Sequence, residues 1–278
     1  MQVEASAAGL ALGLLFAGPS VAVEPVDVEL VLAVDVSLSM SPDELELQRA
    51  GYAAALTDEA VIKAIEAGAY GKIAVTYFEW AGSFTQHVIV PWTTISSLED
   101  AERVARQLSA SPPNSARRTS ISAALEFAGD LFAESGYRGN KRVVDISGDG
   151  PNNQGGPMEA ARDRLVDQGI TINGLPLITN GGLNSAYDVE DLDVYYEKCV
   201  IGGPGAFMVP VNAWSQFPEA IRRKLVLELA GESSALLQKA QFAAPSDDPP
   251  SLKQPDGIYD CQIGEKLWRN RSWISEPN

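Results

Sequence analysis

The sequence predicts an α/β domain, a doubly wound and mainly parallel central sheet with helices on both faces. Three observations predict it. Strand-length apolar runs rich in Val, Ile and Leu alternate along the chain with amphipathic runs of helical length. The first such run, residues 27–35 (DVELVLAVD), is mostly apolar, the pattern of a strand covered on both faces. The 278 residues, 45% of them hydrophobic, suit one large domain with additions or two small ones.

In chain order, residues 1–22 read as a signal peptide. AAGLALGLLFAGPSVA is apolar and rich in small residues, and Ser20-Val21-Ala22 offers a small-x-small cleavage site before Val23. The basic residues usual ahead of such a run are absent, and Glu4 is acidic. The run falls short of the roughly 20 apolar residues of a membrane span, and no later segment is long and apolar enough. The expectation is an exported protein, periplasmic or extracellular, with no transmembrane span. Its domain covers 23–242, and 243–278 form a linker and a tail packed on the domain.

After the first strand, Ser41-Pro42-Asp43-Glu44 supplies an N-cap, a proline at the first helical position and the acid of a capping box. A long helix to about Ala67 follows, ended by Gly68 and Gly71. Lys72–Trp80 alternates as a second strand, and Gln86–Trp92 is a shorter third, joined through Ala81-Gly82-Ser83 in hairpin fashion. Ser97–Leu108 is a charged amphipathic helix, 109–118 a loop marked by Pro112, Pro113 and Asn114, and Thr119–Ala133 a helix. Lys141–Ser147 is the fourth strand, closed by the turn chemistry of GDGPNNQGG. Met158–Gln168 is a helix, and Ile170–Ile178 a fifth strand weakened by Pro176. Asp188–Cys199 reads as a helix, Ala206–Val211 as a short sixth strand, and Trp214–Ala240 as a long helix. Residues 243–260 read as a linker, ahead of a tail holding Trp268 and Trp273.

The formal net charge of −16 argues against nonspecific nucleic-acid binding, which rests on Lys and Arg contacts to phosphate. Cys199 and Cys261 are the only cysteines, and neither has a CxxC neighbour, so zinc is disfavoured. In an exported protein two lone cysteines suggest one disulfide, here tying the tail to the domain; the alternative is two buried free thiols.

Ligands of such sheets bind beyond the C-terminal strand ends, where strand order reverses. Asp35 and Asp149 both follow strands at that end. In Asp35-x-Ser37-x-Ser39 alternate side chains point the same way, so a carboxylate and two hydroxyls can converge. With Thr119 before a helix and Asp149 after a strand, the set offers hard oxygen donors. Such donors suit Mg²⁺ or Mn²⁺, with Ca²⁺ a further candidate, rather than zinc or copper. The two carboxylates cancel a divalent charge. Taken singly, Ser39 and Ser41 also read as the start of a helix, Thr119 as an N-cap, and Asp149-Gly150 as a plain turn.

Asp35-x-Ser37-x-Ser39, Thr119 and Asp149-Gly150, in this order, resemble the metal-ion-dependent adhesion site of a von Willebrand factor type A domain over about residues 27–240. SGDGPNNQGG with RRTSISAALEFA is similar to an exported bacterial branch of that superfamily, DUF1194. The resemblance implies that Ser37 and Ser39 bind the metal directly, and that Asp35, Thr119 and Asp149 do so directly or through water. An acidic ligand residue would complete the shell. The chain departs from the family pattern at Arg117 and Arg118, where small residues are usual. A cation there would weaken metal binding or hold an anionic ligand; the plain alternative is a solvated arginine. Asn152 and Asn153 shape the turn, with Asn152 a further ligand-side candidate.

The expected function is an adhesion-type binding module, not an enzyme, that captures an acidic group of an unknown protein or ligand through the cation. A haloacid-dehalogenase-like phosphatase is the alternative, but its general acid/base position is Ser37, which cannot serve near neutral pH. A serine hydrolase lacks both a G-x-S-x-G elbow and any histidine besides His87. A structural domain with a degenerate site is the third reading.

Overall fold

The computed structural model describes residues 23–110, 112–179, 189–230 and 259–272. The expected signal peptide, most of the linker and Trp273 lie outside the described residues. Five strands, β1 (Glu24–Asp35), β2 (Ile73–Trp80), β3 (Gln86–Ile95), β4 (Tyr137–Gly148) and β5 (Thr171–Pro176), form one sheet in the order β3-β2-β1-β4-β5. All pairings are parallel except β2 with β3, the hairpin read from the sequence. Pro91 fits within β3 because that strand is at the edge, where a missing N–H leaves no ladder bond broken. The chain leaves β1 for β2 on one side and later returns to place β4 on the other. Strand order therefore reverses at β1, between Asp35 and the end of β4.

Side-chain alternation along β1 and β2 divides the core into two layers. Leu30, Leu32, Val34, Val75 and Tyr77 face the helices α1 (Pro42–Leu56), α2 (Glu59–Glu66), α3 (Leu98–Ser109) and α7 (Phe217–Leu229). Val31, Ala33, Phe78 and Trp80 face α4 (Ile121–Ala133), α5 (Met158–Asp167) and α6 (Leu192–Tyr195). Burial on both faces explains why β1 carries so few polar residues.

Five elements differ from the sequence expectation. The helix expected from Ser41 to Ala67 is two helices, because Asp58 caps a new one by accepting from the Ala60 N–H at 2.8 Å. β4 begins at Tyr137 rather than Lys141, its polar first half pairing with Glu24–Val28. The sixth strand is absent as a continuous element: 206–211 runs beside β5 through isolated bridges at Met208 and Val211. Pro176 and Pro210 lack the N–H groups an unbroken ladder would use. The expected 188–199 helix is one short turn, α6, followed by a π-helical turn at Tyr196–Val200. The helix expected over 214–240 begins with a short 3₁₀ turn at Trp214–Gln216, and α7 ends at Leu229, where Ala230 turns extended; 231–240 lie outside the described residues. The last described helix, α8 (Ile263–Ser272), follows Cys261, which is bonded to Cys199 of the π-helical turn.

Beneath the sheet, α7 carries a buried charge cluster. The Lys224 ammonium is fully buried, 2.7 Å from Asp145 of β4, and also pairs with Glu228 one turn on. Glu228 Oε1 also accepts from Asn173 Nδ2 at 2.9 Å. Burial first, and then the Asp145 charge, push the Glu228 carboxyl from its ordinary 4.5 up to about 7. One proton on this carboxyl leaves a neutral cluster of one lysine and one ionised acid. A carboxyl whose folded value is raised binds its proton preferentially in the folded state. Its contribution to stability therefore falls as pH rises from about 4.5 to about 7. Glu228→Gln should flatten this slope in urea unfolding measured across that range. An unchanged slope in the variant would contradict the assignment.

Candidate functional site

The site is built where β1 ends. Gln48 of α1 donates its side-chain N–H to the Asp35 carbonyl at 2.9 Å, and the Val36 N–H continues the β2 pairing to Trp80. Beyond that point the chain pairs with the loop leading into α4: Ala116 donates to the Val36 carbonyl and Leu38 donates to the Ala116 carbonyl. The Asp35-x-Ser37-x-Ser39 segment is thus held between two segments rather than free as a turn. Ser41, not Ser39, caps α1, in the expected capping box with Glu44.

The loop before α4 is anchored from below by a buried ion pair. The Arg49 guanidinium of α1 meets Glu79 Oε1 of β2 at 2.6 Å. Glu79 Oε2 accepts from both the backbone N–H and the side-chain amide of Asn114, at 3.0 and 2.7 Å. Ser120 rather than Thr119 is the N-cap of α4, accepting from the Ala123 N–H. That displacement by one residue leaves Thr119 outside the helix. Its N–H donates to Asn153 Oδ1 at 3.0 Å, and its carbonyl accepts from the Asn153 N–H at 2.8 Å.

These loops enclose an open cleft of about 420 Å³. Ser37, Ser39, Thr119 and Asp149 line it, with Arg117, Arg118, Asn153 and Trp268 around them. Asp35 lies beneath, with no exposed surface. Its Oδ1 accepts from the Ser37 N–H at 2.7 Å, while its Oδ2 is buried without a hydrogen-bond partner. Ser37 Oγ and Ser39 Oγ are 2.8 Å apart, and Ser39 Oγ donates to Asp149 Oδ1 at 2.8 Å. Gly148 permits the approach, since a Cβ there would stand 3.0 Å from Asp35 Oδ2 and 2.9 Å from the Tyr196 hydroxyl. Burial, and next the charge of Asp149, hold the Asp35 carboxyl well above its ordinary value.

A buried carboxylate oxygen without a donor is costly, and a second carboxylate of like charge nearby adds to the cost. A divalent cation among these oxygens would reverse both terms. The fit is with a hard cation, since the donors are two carboxylates and three hydroxyls. Among the described residues no three His, Cys, Asp or Glu side chains gather into a metal-holding cluster, so any ion here would draw on the hydroxyls as well as the two carboxylates.

Asn152 is placed differently from Asn153. Its side chain accepts from the Ser122 N–H at 3.0 Å and donates to Glu265 of α8 at 2.7 Å, and it does not line the cleft. Gly264 of α8 lies so close to the Asn152 carbonyl that a Cβ would stand 2.1 Å from it. Asn153, Trp268 and the Arg49–Glu79–Asn114 anchor were not legible as site residues. Only the neighbouring Asn152-Asn153 pair and the tail cysteine hinted at two of them.

The family model described as "Protein of unknown function (DUF1194)" matches residues 25–233. The chain belongs to the DUF1194 family. No curated protein matches it. Among solved structures, the DUF1194 chain is similar to the pilus adhesin SpaC from Lactobacillus rhamnosus GG, with 15% identity over 74% of this chain and 31% of that one, at a TM-score of 0.53. It is also similar to proximal thread matrix protein 1 from the mussel byssus, with 16% identity over 73% of this chain and 48% of that one, at a TM-score of 0.50. The chain thus spans less than half the length of either protein, and at these identities the likeness is one of fold. That shared fold is the mainly parallel α/β sheet with helices on both faces described above.

The loop anchor gives a direct expectation. Glu79→Gln leaves a buried Arg49 charge without its counter-ion and should cost about 3–5 kcal/mol in urea unfolding. Replacing both residues, Arg49→Met with Glu79→Leu, should recover the part of that loss due to the uncompensated charge, but not the part due to the two lost Asn114 hydrogen bonds. Equal destabilisation in the single and double variants would contradict the role given to the pair.

Proposed function

We propose that this chain is an exported, adhesion-type binding module that captures an acidic group of a partner through a divalent cation, Mg²⁺ or Mn²⁺, rather than an enzyme. Asp35, Ser37, Ser39, Thr119 and Asp149 would hold the ion. The observation that carries the reading is the fully buried Asp35 carboxylate, one oxygen without a hydrogen-bond donor, beneath a cleft lined by Ser37, Ser39, Thr119 and Asp149. The bound ion would supply an electrophilic point to which a ligand carboxylate adds. The protein's own residues fix the ion's place and neutralise its charge.

The surroundings favour a protein partner. Leu38 lines the cleft and is 56% exposed. Phe84, in the β2–β3 turn, is 96% exposed. That turn is tied to the site loops through the Ser83 N–H to Gln154 Oε1 and the Ser120 N–H to the Ala81 carbonyl. Apolar side chains left open beside a polar site suit a protein surface better than a small ion. A pilus adhesin among the similar structures agrees with an adhesive role. Export is supported by the apolar N-terminal run and by the Cys199–Cys261 disulfide, a bond of oxidising compartments. Among the described residues no helix is long and apolar enough to cross a membrane.

Two features weigh against catalysis. Ser37 occupies the position where a haloacid-dehalogenase-like enzyme has its second aspartate, and its hydroxyl is engaged with Ser39. His87, the single histidine, is exposed on the edge strand β3. Calorimetric titration of Mg²⁺ and Mn²⁺ should show one site per chain, lost in Asp35→Ala. Equal heats for both proteins would remove the metal from this cleft. Metal-dependent hydrolysis of a phosphomonoester, lost in Asp35→Asn, would replace the binding module with an enzyme.

A further inference from the structure

The cleft has a wall that the metal-site residues do not explain. Among the described residues Arg118 is the one non-glycine with positive φ, +78°, a backbone conformation that side chains with a Cβ rarely adopt. Such strain persists where surrounding structure enforces it, and it concentrates at ligand sites. The Arg118 guanidinium carbon stands 3.3 Å from the centroid of the Trp268 ring, and both side chains line the cleft beside Thr119 and Asp149.

Trp268 arrives there by long-range construction. α8 is fixed by the Cys199–Cys261 disulfide, by the Asn152–Glu265 hydrogen bond and by the contact of Gly264 with the Asn152 carbonyl. A guanidinium held over an indole loses much of its rotamer freedom, and an arginine fixed in this way is suited to recognising a carboxylate.

We propose that Arg118 and Trp268 form a second anion-recognition point in this cleft, so that the preferred ligand carries two acidic groups, one for the cation and one for the stacked guanidinium. The inference rests on the function proposed above. Charge supports it. Asp35 and Asp149 neutralise a divalent ion, so a ligand with one carboxylate leaves the loaded site at −1 and one with two leaves it at −2. In a chain of net charge −16, a local cation is needed to receive the second. Arg118 supplies it, and Trp268 holds it in place.

The test uses the full chain saturated with Mn²⁺, titrated calorimetrically with acetate and with the dicarboxylates succinate, glutarate and adipate. At least one dicarboxylate should bind tenfold or more tightly than acetate, the best chain length reporting the spacing between the two points. Arg118→Gly suits the backbone at this φ and should fold at least as well. It should bring the dicarboxylate to within about twofold of acetate, while Mn²⁺ affinity does not fall. Trp268→Ala should lower the preference and Trp268→Phe should keep most of it. Dicarboxylates no tighter than acetate in the wild type, or a preference that survives Arg118→Gly, would overturn the inference while leaving the metal site standing. A wild-type chain that takes up no Mn²⁺ would overturn the metal site and the inference together.

Discussion

Like charges at the end of one sheet are the constraint on which the site depends. Asp35 closes β1 and Asp149 follows β4, its neighbour, so parallel pairing alone brings two carboxylates to the same rim. Asp35 has no contact with solvent, and its charged form is opposed by both burial and Asp149. No hydrophobic term of the fold is served by this arrangement. Under the function proposed above, a divalent ion among the oxygens would make it favourable, with the serines and threonine as further donors.

Around this point the protein invests several independent fixings. Gln48 holds the last strand carbonyl, and the Arg49–Glu79 pair reaches through Asn114 to the loop before Thr119. Asn153 clasps the Thr119 backbone through its side-chain Oδ1 and its own N–H. The disulfide and α8 brace the turn after β4 from outside. Buried polar groups of this kind contribute little net stability but leave few alternative loop positions. A cation site needs that rigidity, because donors must be in place before the ion gives up its water.

Much of this was legible in the sequence. The apolar runs fixed the five strands and their parallel character, because burial on both faces leaves a pattern that needs no tertiary knowledge. That Ser37, Ser39, Thr119 and Asp149 would meet at one cleft, with Asp35 beside them, could be read because each stands near a strand or helix end, where position along the sheet follows from topology; what they hold is a proposal. The break at Asp58 was missed because an aspartate inside a helix-rich stretch looks the same whether it caps or is solvated. The first half of β4 was missed because its residues are polar, and the pairing that makes them a strand comes from β1. The fragmentation of 206–211 follows from prolines on both partners, a property of the pair rather than of either segment. Trp268 could not be placed from sequence, since its position depends on a bond between residues 62 apart in the chain.

Diffraction from crystals grown with Mn²⁺, with anomalous differences measured at the manganese edge, tests the central claim most directly. The account predicts one strong peak bounded by the side chains of Asp35, Ser37, Ser39, Thr119 and Asp149. Manganese at other positions only, with none beside these five side chains, would contradict it.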